Sequence, residues 1–399
     1  MIKIPDYILK VLNILYEKGF EGYLVGGCVR DALMNKEAHD FDLTTNALPN
    51  EIIECFRGMK IIETGLKHGT VTVVSEGENV EITTYRIDGK YTDNRHPEKV
   101  LFTRNIHEDL SRRDFTVNAI AYSPKDGIVD VFGGREDIKS SLIRCVGCPD
   151  TRFSEDGLRI MRALRFASWL SFEIDFATSQ SIHKNKNLLK NISAERIFSE
   201  LKKLICGKNA KKILSEFYDV FCVVFPAFTG YEEQYFNNIK KLPLNCTDTV
   251  LMFSVLFEGF NIEDLKKSLK SLKPDNYFYT NVVTLLQALP QNLKSDEVSV
   301  RYTMNKLSDE NILRICELKK IFYPDFQKVA FLNEYNKQKS LCACVKLKDL
   351  AICGSDIISL GVEKGPKIGE IMEELLKAVI ENKCHNEKNA LIRYALELL

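Results

Sequence analysis

The 399-residue sequence carries no excess of either charge, since 55 Lys and Arg residues balance 55 Asp and Glu. No global field therefore advertises a nucleic-acid partner, and any such binding falls to local patches. The sequence also lacks an apolar run near the roughly 20 residues needed to span a bilayer, so a soluble protein with no membrane partner is expected. Met1-Ile2-Lys3 opens directly into a helical pattern with no secretory signal, and the twelve cysteines are scattered along the chain. Reduced thiols in the cytoplasm are the expectation. The nearest cysteine pairs, Cys145/Cys148 and Cys342/Cys344, are followed by no partner Cys or His pair, which argues against structural zinc. Low-complexity tracts and internal repeats are missing too. What remains is a globular chain too long for one typical core, with two to four domains expected.

Chemistry is concentrated early. The segment LVGGCVRDALM (24–34) is an apolar strand ending in Gly26-Gly27 and running into a helical pattern. Glycines at such a turn let backbone N–H groups approach phosphate oxygens, and the helix start favours negative charge. HDFDLTT (39–45) follows at once, with Asp40 and Asp42 two positions apart. On an extended strand, residues i and i+2 share a face, so both carboxylates converge on one point. Like charges held that close call for a cation between them, and hard Mg²⁺ prefers such oxygen ligands. A lone Asp-x-Asp or Gly-Gly is most often a solvated turn or cap; the two together, in this order and at this separation, indicate a site where metal and triphosphate meet.

Around these motifs the pattern predicts a helix over 1–19, strands at YLVGG and DFDLTT, and a helix over 49–57 opened by Pro49. The β-branched runs GTVTVVS and VEITTYR predict two more strands. From about residue 150 such runs almost vanish, and Leu, Lys, Ile, Asn and Glu dominate. The shift predicts an α/β domain joined to an all-helical remainder. Residues 86–113 form the most polar stretch of the first domain and are equally a surface loop or a mobile element beside the active site.

A second constellation lies at RFSEDGLRIMRALRFASW (152–169). One continuous helix is expected, with Ser154 as N-cap and Glu155 and Asp156 in the first turn. Glu155, Arg159 and Arg162 then share a face with Asp156 at its edge, opposite Ile160, Met161, Leu164 and Ala167. Taken alone, this is a surface helix with an i,i+4 Glu155–Arg159 ion pair worth a few tenths of a kcal/mol. Beside a metal site it has another meaning. Cytosine and adenine both present an exocyclic amino donor next to a ring-nitrogen acceptor, whereas uracil and guanine present the reverse. A carboxylate accepting from the amino group and an Arg donating to the ring nitrogen, as Asp156 and Arg159 would, selects C and A and leaves buried charges unpaired against U and G. RRDFTVNAIAY (112–122) adds Arg113 for a phosphate or base, Asp114 to orient arginines or bind ribose, and Asn118 for a sugar hydroxyl; read alone, it is a helix with a capping Asp.

These segments together resemble the class II tRNA nucleotidyltransferases, the CCA-adding enzymes of the polymerase β superfamily, in their bacterial form. Besides those above, the resemblance is carried by TGLKHGTVTVV (64–74), DTRFSEDGLRIMRALRFA, SAERIFSELKKL (193–204) and LAICGSDIISLGVEKGPKIGEIMEELL (350–376), in family order over nearly the whole chain. It implies an α+β architecture: a polymerase-β-like catalytic head (1–140), then an all-α neck that recognises the base (141–206), a body (207–273) and a tail that binds tRNA (274–399). It implies that Asp40 and Asp42 bind Mg²⁺, and that Gly26, Gly27, Arg30, Arg113, Asp114 and Asn118 line the nucleotide site. Glu155, Asp156 and Arg159 match the family's amino-acid template, and Arg162 and Arg165 add nucleotide contacts. The implied reaction is template-independent addition of CCA from CTP and ATP. The tRNA 3′-hydroxyl attacks the α-phosphate in line and pyrophosphate leaves, with metal assistance. Glu81, on a neighbouring strand, is a third carboxylate or a structural residue.

Departures narrow the choice. The only His-Asp pair is His39-Asp40, inside the catalytic motif, so no fused phosphohydrolase is expected. The full stretch at 86–113 argues against addition of C alone, while A-only addition stays open. Poly(A) polymerases share the head motifs, but the Arg-rich motif they usually carry after the neck is absent here. Lysine clusters at 184/186/190, 202/203, 208/211/212 and 266/267/270 are solvated faces or tRNA contacts. A monomer and a homodimer are both compatible with the sequence.

Overall fold

The computed structural model describes residues 2–38, 40–63, 65–88 and 100–399. The chain opens with helix α1 (Asp6–Glu17), shorter than expected because Pro5 starts it and Lys18-Gly19 ends it, Gly19 having a positive φ. Its buried face, Ile8, Val11, Leu12 and Leu15, packs on the head core. Strand β1 (Tyr23–Val25) leads into α2 (Gly27–Leu33), and β2 (Asp42–Thr45) into α3 (Pro49–Cys55). Strands β3 (Lys60–Ile62), β4 (Thr70–Ser75) and β5 (Glu78–Thr84) follow. β6 (Arg86–Asp88) pairs antiparallel with β7 (Val100–Phe102), and α4 (Ile106–Ser111) comes next. Residues 89–99, the middle of the polar stretch 86–113, lie outside the described residues. β8 (Ile120–Ser123), β9 (Gly127–Asp130) and α5 (Gly134–Lys139) complete the first domain.

Seven of these strands make one mixed sheet in the order β3-β4-β5-β2-β1-β8-β9. The β2–β5 pair is parallel and its other ladders are antiparallel. Burial along β4 alternates as the period-2 pattern requires, with Val71 and Val73 fully buried. One face joins the core of Leu24, Leu43, Val80 and Ile82 under α1, α2 and α3, and Tyr23, Val25, Tyr85 and Ala121 form a second cluster with Ile106 and Leu110 of α4.

Two local expectations need correction. Residues 112–122 are not a helix: a short 3-10 turn (Thr116–Asn118) passes straight into β8. Asp114 does not cap the turn either: its Oδ1 accepts from the adjacent Phe115 N–H at 2.8 Å, Phe115 precedes the turn with no side-chain cap, and the β-rich end of the segment belongs to the sheet. Nor is 152–169 one helix. α6 (Pro149–Glu155) ends before Asp156, which is extended, and α7 (Leu158–Leu170) begins after Gly157. Cys148-Pro149 opens α6; Ser154 lies near its end, its hydroxyl donating back to the Thr151 carbonyl at 2.8 Å. The break is readable in Asp156-Gly157, a turn dipeptide. Asp156 Oδ1 accepts from the Leu158 N–H at 3.0 Å, and a Cβ on Gly157 would come within 3.1 Å of Leu188.

β10 (Leu142–Ile143) pairs in parallel with β11 (Glu173–Ile174), a small ladder within an otherwise helical region. Helices α8 (Phe176–Asn185) and α9 (Ala194–Ile205) follow, α9 packing along α7. From Ala210 onward the regular elements among the described residues are all helices. The chain forms two compact units, residues 1–252 with 267–274, and residues 253–266 with 275–399. The second has its own core of Ile357, Leu375, Leu376, Ile380 and Leu391.

Candidate active site

Register puts the first two motifs side by side. β1 runs antiparallel to β2 with Val25 opposite Asp42, so the Gly26-Gly27 turn leaves the sheet beside the strand that begins with the second carboxylate. Gly26 has φ +76° and ψ −128°, a conformation open to glycine alone, and a Cβ there would lie 3.3 Å from Arg113 Nη1. The glycine thus serves both the turn and the approach of an arginine. Asp42 is the first residue of β2, and Asp40 lies just before the strand rather than on it. The two still sense each other. Partial burial raises the Asp42 carboxyl, Arg113 opposes this, and the charge of Asp40 adds to the rise. Burial first, then Asp42, pushes the neighbouring Cys28 thiol up to about 11, so it stays neutral.

Arg113, which acts on Asp42 by charge, belongs to a web of arginines around the glycine turn. Arg30, buried on α2, donates from Nη1 to Asn118 Oδ1 at 2.7 Å and pairs with Asp31 at 2.8 Å. Asn118 in turn donates to Asp114 Oδ1 at 3.2 Å. Asp114 Oδ2 receives Arg162 Nε at 2.8 Å and Nη2 at 2.6 Å. Burial alone would raise the Asp114 carboxyl, but Arg162 by charge and hydrogen bond, with Asn118 and Arg159, holds it down at about 2. Arg113 and Arg112 share the fully buried Asp109 of α4. Three guanidiniums gather on one ring: Arg165 lies 3.9 Å from the Phe166 centroid, Arg30 5.3 Å and Arg162 5.4 Å.

The Glu155–Arg159 pair forms at 2.5 Å across the break between α6 and α7. Its other oxygen meets Arg152 at 2.7 Å, so both carboxylate oxygens are engaged. Arg159 also donates to the carbonyls of Arg152 and Arg112, each at 3.0 Å. Ile160, Met161, Leu164 and Ala167 are fully buried on the opposite side. Asp156 Oδ2 accepts from Arg196 of α9 at 2.9 Å, and Arg165 Nε lies 2.5 Å from Glu200 Oε2. Arg152, Arg196, Glu200, Asp109 and Phe166 are members of the site that sequence reading did not single out. An arginine at i−3 to Glu155 was a readable signal for Arg152; nothing local marked the others.

Among the described residues no group of three His, Cys, Asp or Glu side chains gathers to hold a metal, so Glu81, on the exposed face of β5, does not complete such a set. The carboxylates nearest the glycine turn are Asp40 and Asp42. Two carboxylates whose charges oppose each other beside a glycine turn suit a divalent cation that takes its remaining ligands from substrate phosphates and water. Several lysines of the basic clusters are engaged at the surface: Lys184 with Asp150, Lys186 with Asp219, Lys212 with Glu173 and Lys266 with Glu263. Such exposed pairs are weak and exchangeable.

A glycine turn after one strand, an acid pair at the start of the next and an arginine web close by, in a mixed-sheet head followed by helices, define a nucleotidyltransferase. The sequence matches the poly A polymerase head domain over residues 22–144 and tRNA nucleotidyltransferase domain 2 over 245–395. It is 36% identical to the CCA-adding enzyme of Lactobacillus helveticus and 37% identical to that of Ligilactobacillus salivarius, in both cases over 99% of this chain and 98% of the relative. The fold superposes on the Bacillus stearothermophilus CCA-adding enzyme solved with CTP at a TM-score of 0.83, with 30% identity over 99% of this chain and 98% of that one. The Thermotoga maritima enzyme solved with tRNA shares the fold at a TM-score of 0.65 and 23% identity, covering 99% and 96%. The chain belongs to the CCA-adding enzymes, and its head depends on a divalent metal as nucleotidyltransferases do.

Proposed function

We propose that this protein adds C, C and A to the 3′ ends of tRNA, taking CTP and ATP in turn, with the catalysis carried by Asp40 and Asp42 and base choice by Asp156 and Arg159. The observation that carries the reading is that the first compact unit holds both the acid couple beside the glycine turn and an acceptor–donor set, Asp156 in the break between α6 and α7 and Arg159 in the first turn of α7. Mg²⁺ is the metal we assign to Asp40 and Asp42; when bound it neutralises phosphate charge and lowers the pKa of the attacking hydroxyl. The Gly27 backbone N–H at the Gly26-Gly27 turn, with Arg30 and Arg113, binds the triphosphate, and Asn118 and Asp114 the sugar; the Gly26 N–H itself is spent on the Ile120 carbonyl. Arg162 and Arg165 add positive charge behind it. Asp156 accepts the exocyclic amino proton of cytosine or adenine, and Arg159 donates to the ring nitrogen; Glu155 keeps Arg159 aimed. The tRNA hydroxyl attacks the α-phosphorus, the bond to the bridging oxygen breaks, and pyrophosphate leaves.

We read residues 1–140 as head, 141–206 as neck, 207–273 as body and 274–399 as tail, the last three contacting the tRNA through its shape and phosphates, which suits an enzyme that serves every tRNA. All twelve cysteines are unpaired, and among the described residues no helix is long and apolar enough to cross a membrane; both support a cytoplasmic site of action.

The test is extension of tRNA lacking its 3′ end in Mg²⁺ with CTP and ATP. Growth by C, C and A from the discriminator base supports the proposal. Extension only of tRNA already ending in CC replaces it with A-only addition, and long oligo(A) on unrelated RNA indicates a poly(A) polymerase.

A further inference from the structure

Asp156 is not held by its own helix alone. Its backbone is extended, at φ −138° and ψ 105°, between two helices. Two contacts therefore fix its carboxylate: Oδ1 caps α7 at the Leu158 N–H, 3.0 Å away, and Oδ2 takes Arg196 Nη2 at 2.9 Å. Arg196 stands on α9, outside the arginines around Phe166, and its second amino nitrogen, Nη1, is buried with no hydrogen-bond partner among the described residues.

We infer that Arg196 is a positioning residue for base selection, fixing the orientation in which Asp156 meets the nucleobase. The inference rests on the reading of Asp156 as the base acceptor. An ionised carboxylate offers about four lone-pair sites. Leu158 and Arg196 occupy two, and the rest remain for an exocyclic amino group. Rejection of uracil and guanine requires those lone pairs to stay directed at the base, so that a carbonyl oxygen meets them unfavourably. A carboxylate held by its cap alone rotates away from that encounter, and the penalty falls. The unused Nη1 matters for the same reason. A guanidinium is a planar fork, able to engage a carboxylate by one donor or two. With one donor in reserve, Arg196 keeps the carboxylate in the same orientation whether a pyrimidine or a purine is bound.

A purely structural Arg196 would dock α9 on α7, and its loss would lower stability and the use of all nucleotides alike. The experiment separates the two with the full-length protein, its Arg196→Gln and Arg196→Lys variants, and Asp156→Ala as a second background. Incorporation of CTP, ATP, UTP and GTP into tRNA gives kcat/KM ratios, calorimetric titration gives nucleotide binding without turnover, and melting gives stability. Expected is a rise of about tenfold in the UTP-to-CTP ratio for Arg196→Gln, in both turnover and binding, at a melting temperature near that of the parent. Arg196→Lys, with charge but no fork, recovers part of the discrimination. In the Asp156→Ala background, Arg196→Gln changes the ratio no further. An unchanged ratio, or equal losses with CTP and UTP, overturns the inference; should Arg196→Gln not fold, an unchanged ratio in Arg196→Lys does the same. Failure of the underlying reading looks different: the parent extends no tRNA, or Asp156→Ala leaves UTP rejection intact.

Discussion

Arg162 grips Asp114 through two nitrogens, Nε at 2.8 Å and Nη2 at 2.6 Å, both on the same carboxylate oxygen. The pair ties the turn before β8 to the middle of α7, across 48 residues of sequence. It thereby joins the segment bearing Arg113 and Asn118 to the helix bearing Arg159. Asp114 is buried while Arg162 is partly exposed, so removing Arg162 strands a buried carboxylate.

That relationship has a pH signature. Asp114 titrates at about 2 in the folded protein, against about 3.9 for a free Asp. Because the folded value is depressed, its contribution is fully present above pH 4 and is lost as pH falls from about 4 to about 2; it amounts to about 2 kcal/mol. Asp114→Asn should lower the urea midpoint at pH 7, and the gap between variant and parent should begin to close below pH 4. A gap that stays constant from pH 7 to pH 3 contradicts the assignment.

Gly26→Ala tests the turn. The backbone at φ +76° is strained for any residue with a Cβ, and that Cβ would press on Arg113 Nη1 at 3.3 Å. A loss of about 1–3 kcal/mol is expected from the backbone alone. Displacement of Arg113 adds a higher KM for nucleotide, measured by steady-state extension. Normal stability with normal KM would mean that the turn is not held as described.

Much of this was legible in the sequence, and the failures have physical causes. The strands around Asp42 followed from β-branched alternation, and the apolar face of α7 from its helical period. The convergence of Asp40 and Asp42 was expected from a strand carrying both, yet β2 starts only at Asp42, because pairing with β1 ends where β1 gives way to the glycine turn. The single helix expected over 152–169 is two, because a capping aspartate followed by a glycine outweighs a periodic apolar pattern that continues through the break. Arg196 and Glu200 were invisible as site members. Their roles depend on α9 lying along α7, a tertiary fact with no local signature.

The acid pair is tested by Asp40→Ala and Asp42→Ala, separately, and by chelation. Losing a cation site that stabilises phosphate charge by several kcal/mol slows nucleotide incorporation on the order of 10²–10³-fold or more. tRNA affinity, measured by filter binding, should stay near that of the parent. Excess EDTA should abolish extension and added Mg²⁺ restore it. Retained tRNA binding with no incorporation by the unmutated protein would instead mark an RNA-binding protein that has kept only the fold.

Arg159→Ala separates base reading from general electrostatics. Arg159 is buried, paired with Glu155 at 2.5 Å and bonded to two backbone carbonyls, so its removal leaves Glu155 held by Arg152 alone at 2.7 Å. On the proposed reading the donor to the ring nitrogen of cytosine and adenine disappears, and so does the positive charge that would clash with the ring N–H of uracil and guanine. UTP and GTP incorporation relative to CTP and ATP should rise by about one to two orders of magnitude, while tRNA affinity changes far less. Glu155→Gln keeps a partner of similar shape but weakens the grip on Arg159, and should move the same ratios in the same direction by a smaller factor. If both variants reject UTP and GTP as the parent does, base choice lies elsewhere in the pocket.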